Sequence, residues 1–157
     1  MTIPHLGDAK WNVELGTFLN KENLRVIEWK YFRGSDFFIF SNPLKSFQMM
    51  GPTLTSEFSY LRGNFIHNFN GNVFGKIPLI NRLNLQLSAG VSTLLIPGEN
   101  LNHFETFIGI SRPFQLWGDL VKFGIYGCSS VNSLTGSTFE LKIGASSFNP
   151  FTKKWDY

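Results

Sequence analysis

The sequence predicts an all-β fold, an antiparallel meander of about seven long strands that forms the C-terminal part of a transmembrane outer-membrane β-barrel. Three observations predict this fold. Apolar and polar residues alternate with a period of two in several segments, as expected when a strand sends successive side chains to opposite faces. Aromatic residues collect near the ends of these segments, and the chain closes on Tyr157.

The segment 83–95 has the cleanest alternation. Its odd positions are almost all apolar and its even positions are polar or small, with Leu94 as the exception. The same pattern recurs at 102–110, 120–127 and 138–146. Each of these segments therefore has one apolar face and one face of polar or small residues.

Three earlier segments complete the count of seven strands. They are 11–19, 24–33 and 54–67, and their alternation is less regular. The strands are separated by turn sequences at 20–23, 97–100, 113–118 and 132–136. Two connections are longer, 34–52 and 68–82, and a short helical turn is expected in the second, starting at Pro78. Strands of about nine to thirteen residues are long for a globular sheet but suit a tilted membrane crossing.

The direction of the apolar face separates two functions. An outer-membrane barrel turns this face outward to lipid, whereas a soluble lipocalin-like barrel turns it inward around a small apolar ligand. Charges within the polar faces and aromatics near strand ends favour the membrane interpretation. We therefore expect the following residues to face lipid: Leu85, Leu87, Val91, Phe104, Ile108, Phe123, Ile125, Leu141 and Ile143.

Composition excludes several other classes. Aromatic residues make up 16% of the 157 residues, and the 43% apolar content argues against disorder. The net charge of +3 comes from scattered basic residues, so no nucleic-acid partner is expected. Cys128 is the single cysteine, which excludes an internal disulfide. Residues 1–20 do not resemble a signal peptide.

No catalytic, cofactor-binding or metal site is predicted, so the sequence is not that of a recognisable enzyme. His103 and Glu105 share a strand face as metal ligands can, but no third ligand accompanies them. Cys128 lies among apolar and small residues, which favours a packed thiol over a nucleophile. We expect Glu140 and Lys142 to form a charge ladder with Lys122 across the polar face.

Several short sequences resemble one family of membrane proteins. His67–Gly71, followed by Lys76–Ile80, is similar to the "HFNG…NKIPL" segment of a family of Bacteroidota outer-membrane proteins. Gly16–Asn20 with Lys30–Gly34 is similar to that family's "GGFLN…KHFNGN", and Asn42–Gln48 to its "NPLxSFQLL". The similarities occur in the same order and cover nearly the whole chain.

The resemblance implies a location and partners. Members of this family carry an N-terminal carboxypeptidase-like regulatory domain and a large C-terminal barrel of unknown function. The chain is then expected in the bacterial outer membrane, in contact with lipid and with the remaining strands of the same barrel. Phe151, Trp155 and Tyr157 resemble the terminal signal that the barrel-insertion machinery reads.

Strand parity predicts a fragment. Bacterial barrels have even strand numbers, so seven strands would make residues 1–157 a single segment from the C-terminal end of a larger barrel.

The connection 34–52 would lie on the outer side, although it is rich in Phe and Met. Because large exposed apolar patches usually mark contacts, we expect it to fold into the barrel or to bind a protein partner.

Overall fold

The computed structural model of the chain describes residues 2–3, 7–18, 28–51, 54–69, 73–76, 81–149 and 154–156. These residues form ten strands and three short 3-10 turns. The strands are β1 (Thr2–Ile3), β2 (Gly7–Gly16), β3 (Lys30–Phe32), β4 (Leu54–Ser56), β5 (Tyr60–Asn68), β6 (Gln86–Ile96), β7 (Leu101–Leu116), β8 (Asp119–Asn132), β9 (Gly136–Asn149) and β10 (Lys154–Asp156). The turns are Phe74–Lys76, Asn81–Leu83 and Pro97–Glu99. Among the described residues, no helix is both long enough and apolar enough to cross a bilayer.

Eight strands form one antiparallel sheet in the order β1-β2-β5-β6-β7-β8-β9-β10, and β3 pairs with β4 in a separate ribbon. The predicted all-β antiparallel fold is therefore confirmed. The end strands β1 and β10 do not pair with each other within the described residues, so these strands form an open sheet rather than a closed barrel.

The predicted seven-strand count is wrong. Of the expected strand 24–33, residues 24–27 lie outside the described residues, and only Lys30–Phe32 is a strand, which belongs to the ribbon. The expected strand 54–67 divides into β4 and β5 because 57–59 are not extended. Six long strands lie in the main sheet within the described residues.

The hairpin of β7 and β8 is longer than its sequence predicts. Pro113 was expected to separate the two strands, yet it lies within β7 opposite Lys122. The pairing of β7 with β6 ends at Ser111, so Pro113 occupies a stretch with only one neighbouring strand, where proline is tolerated. The hairpin turns at Trp117 and Gly118, whose φ angles of 49° and 94° suit the type I′ turn that matches strand twist.

The two faces of the main sheet differ in both chemistry and exposure. Along β9, Leu141 is 66% exposed and Ile143 is 63% exposed, whereas Lys142 between them is 1% exposed. The outer face therefore carries exposed apolar side chains. The inner face carries charged and small polar side chains together with apolar ones such as Leu94, Phe107 and Tyr126. All of these are buried because another part of the chain covers them.

Candidate functional site

The segment 34–51, called the inner loop from here on, covers the inner face of the sheet. Phe40 stacks on Tyr126 of β8, with ring centroids 3.7 Å apart and ring planes 2° apart. Phe47, which is fully buried, lies edge-on to His103 of β7. The predicted loop 34–52 is thus packed against the chain's own sheet over its described part. Phe37, Phe38 and Ile39 remain exposed on it.

Glu105 of β7 anchors the C-terminal end of the inner loop. Its Oε1 accepts the backbone N–H of Gln48 at 2.7 Å, and its Oε2 accepts that of Met49 at 2.9 Å. His103 Nε2 lies 3.2 Å from the same Oε2. Glu105 is 1% exposed, so its carboxylate has no access to water and needs these donors as hydrogen-bond partners. The two loop N–H groups likewise need the carboxylate as their acceptor. This reciprocal dependence fixes the loop to the sheet.

The pair His103 and Glu105 therefore contributes to structure. The second ring nitrogen of His103, Nδ1, lies 3.4 Å from Asn132 Nδ2, so both nitrogens contact side chains of the sheet. Within the described residues, no group of three or more His, Cys, Asp or Glu side chains could hold a metal ion.

Arg62 and Asn64 of β5 hold the middle of the inner loop. Arg62 Nε donates to Asn64 Oδ1 at 2.8 Å, and Arg62 Nη2 donates to the Leu44 carbonyl at 3.4 Å. Asn64 Nδ2 donates to the Pro43 carbonyl at 3.1 Å and to Ser92 Oγ at 2.9 Å. Buried polar side chains thus satisfy loop carbonyls that would otherwise lose their hydrogen bonds to water.

The N-terminal part of the inner loop, residues 36–40, reaches the edge of β9. Ile39 forms a parallel bridge with Ile143: Ile143 N–H donates to the Phe38 carbonyl, and Phe40 N–H donates to the Ile143 carbonyl, both at 2.8 Å. Nearby, Lys142 Nζ donates to the Asp36 carbonyl at 2.6 Å. The loop therefore spans the inner face from β5 to β9.

Glycines make room for the ring on which Phe40 stacks. The ring of Tyr126 lies over Gly109 of β7, Gly124 of its own strand and Gly144 of β9, and a Cβ added at any of the three would overlap it. The absence of side chains at these inner positions therefore lets one large ring lie flat across three strands. This ring is the platform for the inner loop.

An ion pair links the ribbon to the main sheet. Lys30 Nζ of β3 donates a hydrogen bond to Glu14 Oε1 of β2, and the Tyr60 hydroxyl donates to the same oxygen at 2.7 Å. The hydrogen bond to Glu14 raises the pKa of Lys30 above its usual value, against an opposing effect of partial burial. This contact stabilises the ribbon where the chain leaves β2.

The nine residues predicted to face lipid all lie on the outer face. Leu85 and Leu87 are half-buried, and the other seven are exposed: Val91, Phe104, Ile108, Phe123, Ile125, Leu141 and Ile143. Neighbouring outer-face residues line an open groove of about 780 Å³ between β6 and β9. Arg112 lies at the margin of this groove.

The remaining predicted residues have mixed outcomes. Phe151 and Tyr157 lie outside the described residues, and Trp155 belongs to β10. Cys128 is a packed thiol, fully buried beside Phe40, as predicted. The expected three-charge ladder is wrong. Glu140 pairs with Lys142 at 3.3 Å, but Lys122 lies opposite Ser146, four residues farther along β9 than Lys142.

A family model matches residues 1–110, and it is described as the C-terminal domain of a family of unknown function, DUF5686. The chain belongs to this family. Searches of curated proteins and of solved structures found no significant match. The matched region of this DUF5686 domain includes β1 to β6, the inner loop and most of the β7 segment that carries His103 and Glu105.

Sequence reasoning missed the residues that hold the inner loop. Glu105 was singled out only as a weak metal ligand, and Arg62, Asn64 and Gln48 were not singled out at all. Glu105 and Gln48 are 57 positions apart, so no local spacing connects them. The available signal was a charged residue in the middle of a strand otherwise rich in apolar residues, since such a charge requires a partner when it is buried.

Proposed function

We propose that the chain is part of an outer-membrane β-barrel with a structural role, in which the outer face of the sheet contacts lipid and the inner loop fills the inner face. The observation that carries this proposal is the reversed polarity of the sheet. Leu141 and Ile143 are exposed, while Lys142 and Glu105 are buried. A strand of a membrane barrel has apolar residues outside and polar residues inside.

The energetics support the lipid environment. Burying one Leu, Ile or Phe side chain stabilises a protein by about 1.5–3 kcal/mol relative to leaving it in water. The outer face exposes many such side chains side by side, whereas a soluble monomer rarely exposes an apolar patch of more than a few hundred Å². Lipid would provide the missing apolar surroundings over the whole face.

The proposal includes the finer resemblance. We assign the chain to Bacteroidota outer-membrane proteins with a carboxypeptidase-like regulatory domain, and we place it in the bacterial outer membrane. The remaining barrel strands would pair with the sheet edges. Among the described strands, β2 pairs on its outer edge only with β1, through Gly7 and Asp8.

We propose no catalytic role. Glu105, Arg62 and Lys142 of the inner face hold the inner loop. The exposed residues Phe37 and Phe38 are the part of this loop that a protein partner would contact. The alternative, a soluble lipocalin-like barrel, requires the apolar faces to surround a ligand cavity. Exposure of Ile125 at 64% supports the membrane proposal over that alternative.

Fractionation of the native gene product, combined with gel electrophoresis before and after boiling, tests the membrane proposal. We expect extraction from the outer membrane only with detergent and a folded band whose mobility changes on boiling. A water-soluble protein without such a change would contradict the proposal, and uptake of a fluorescent fatty acid would then support the lipocalin-like alternative.

A conductance measurement tests the role of the inner loop. Deletion of 36–50 in the native gene product removes the residues that cover the inner face, so the variant is expected to conduct more current in planar bilayers than the unaltered gene product. Equal conductance of the variant and the unaltered gene product would contradict a filling role for the loop, provided that both show the same change in mobility on boiling.

A further inference from the structure

The outer face contains a groove whose residues point to a particular ligand. Its walls are apolar side chains from four strands, and its floor includes Gly127, which has no side chain to fill the space. The lining side chains are Leu85, Leu87, Ile108, Ile110, Phe123, Ile125 and Ile143. A volume of about 780 Å³ lies within the range of roughly 300–1,000 Å³ that is usual for small-molecule sites.

A single cation lies at the margin of this groove. Arg112 is exposed and lies directly opposite Phe123 of the groove wall. Its guanidinium carbon is 5.5 Å from the ring centroid of Phe114, and that ring is 5.7 Å from the ring of Phe123. Across the described part of the chain, Arg112 forms no ion pair with an acidic side chain.

The position of Arg112 along β7 fits the boundary of an apolar layer. From Phe104 to Arg112 the strand rises by about 26 Å at about 3.3 Å per residue. With a strand tilt of about 40°, this corresponds to about 20 Å of depth, against an apolar band of about 25 Å in membrane barrels. Exposed Phe114 and Trp117 lie beyond Arg112 toward the hairpin tip, as aromatic residues do at a membrane interface.

We infer that this groove binds one anionic phospholipid, with an acyl chain along the apolar walls and the phosphate on the guanidinium of Arg112. The planar guanidinium presents paired donors that match phosphate oxygens. A cation on a lipid-facing surface costs least near the interface, which is where the phosphates lie. The inference rests on the proposed membrane location and adds a defined lipid site to it.

A second hollow on the same face provides a contrast. It has a volume of about 530 Å³ and is lined by apolar and small residues together with His67, but by no Arg or Lys. Its chemistry suits acyl chains without selecting a headgroup. Selection for an anionic lipid is therefore expected to depend on Arg112.

Native mass spectrometry of the purified full chain in detergent micelles tests the site. Dioleoylphosphatidylglycerol and dioleoylphosphatidylcholine are titrated separately, and retained lipid is counted for each. We expect the intact chain to retain one phosphatidylglycerol at about tenfold lower lipid concentration than phosphatidylcholine, since a charge-assisted hydrogen bond contributes about a factor of ten or more. Arg112→Gln is expected to remove this difference.

Two further variants separate the site from general charge and folding effects. Arg33→Gln makes the same charge change at an exposed arginine near the ribbon, away from the groove, and is expected to keep the preference. Gly127→Leu fills the floor that the groove shares with the second hollow, where an added Cβ has ordinary contacts with Phe139 at 3.5 Å, and is expected to weaken retention of both lipids.

The outcomes distinguish this inference from the proposed function. Equal retention of phosphatidylglycerol by the intact chain and Arg112→Gln, or an equal loss in Arg33→Gln, would overturn the lipid site. In that case a normal mobility change on boiling would leave the membrane proposal intact. A chain that is soluble without detergent and retains neither lipid would contradict both.

Discussion

The outer and inner faces of the sheet are built from the same strands but differ in exposure and in chemistry. Ile125 and Leu141 on the outer face have few protein neighbours, whereas Glu105 and Lys142 on the inner face are almost completely enclosed. Apolar exposure is tolerated outside only if the surroundings are apolar. Charge is tolerated inside because the inner loop supplies its hydrogen-bond partners. The inner loop is therefore needed for the sheet to bury its charged inner face.

The largest expected effect tests the inner face. Glu105→Ala leaves the buried N–H groups of Gln48 and Met49 without their acceptor, so we expect a loss of about 3–5 kcal/mol in the free energy of unfolding. Urea unfolding in lipid vesicles measures this loss. Glu99→Ala, in the turn after β6, is the control and should change the value by less than about 0.5 kcal/mol. Equal effects of the two variants would contradict the anchoring role of Glu105.

The next effect tests the outer face. Ile125→Arg places a charge near the middle of the apolar surface, so we expect a loss of about 2–4 kcal/mol in the free energy of unfolding in vesicles. Leu134→Arg makes the same change at an exposed apolar residue in the β8–β9 turn, and about 0–1 kcal/mol is expected there. If Ile125→Arg costs no more than Leu134→Arg, the outer face does not contact lipid.

Two glycines compare the faces at similar chemistry. Gly109→Ala places a Cβ into the ring of Tyr126 on the inner face, and such overpacking costs about 1–3 kcal/mol. Gly127→Ala points outward, where the added Cβ makes ordinary contact with Phe139 at 3.5 Å, and is expected to be neutral or to stabilise by up to about 1 kcal/mol. The same unfolding measurement gives both values. A similar cost at the two positions would mean that Tyr126 does not lie over Gly109.

The smallest effect is a pH dependence at the ribbon. Because the pKa of Lys30 is raised in the folded chain, its ion pair stabilises below the ordinary lysine pKa of 10.5 and loses this contribution as the pH rises through the raised value. The pair is partly exposed, so Lys30→Met should cost about 0.2–1 kcal/mol at pH 8 and less at pH 11. Lys45→Met, at an exposed loop position, is the control. A cost that grows with pH would contradict the raised pKa.

The sequence predicted much of the second half of the sheet. The alternation at 120–127 and 138–146 lies within β8 and β9, and apolar and polar residues lie on opposite faces as it indicates, because period two is a local property of extended backbone. Of the predicted strand 24–33, only Lys30–Phe32 is a strand within the described residues. It pairs with Leu54–Ser56, and pairing between distant segments leaves no local pattern.

The inner loop marks the limit of sequence reasoning. Its apolar composition predicted that it would fold inward or bind a partner, which is correct for Phe40 and Phe47. The anchoring by Glu105 was not predictable because a carboxylate that accepts two backbone N–H groups needs no particular side chain at 48 or 49. A contact to a backbone group does not restrict which amino acid occurs at that position.

The most direct test of the account measures which face meets lipid. Spin labels attached through Leu141→Cys, Ile143→Cys and Ser146→Cys, each in a Cys128→Ala background, report collisions with oxygen in lipid and with a nickel complex in water. In vesicles, we predict high oxygen and low nickel collision rates at 141 and 143, and low oxygen collision at 146. A reversed pattern, or equal oxygen collision at all three positions, would contradict an outer face in contact with lipid.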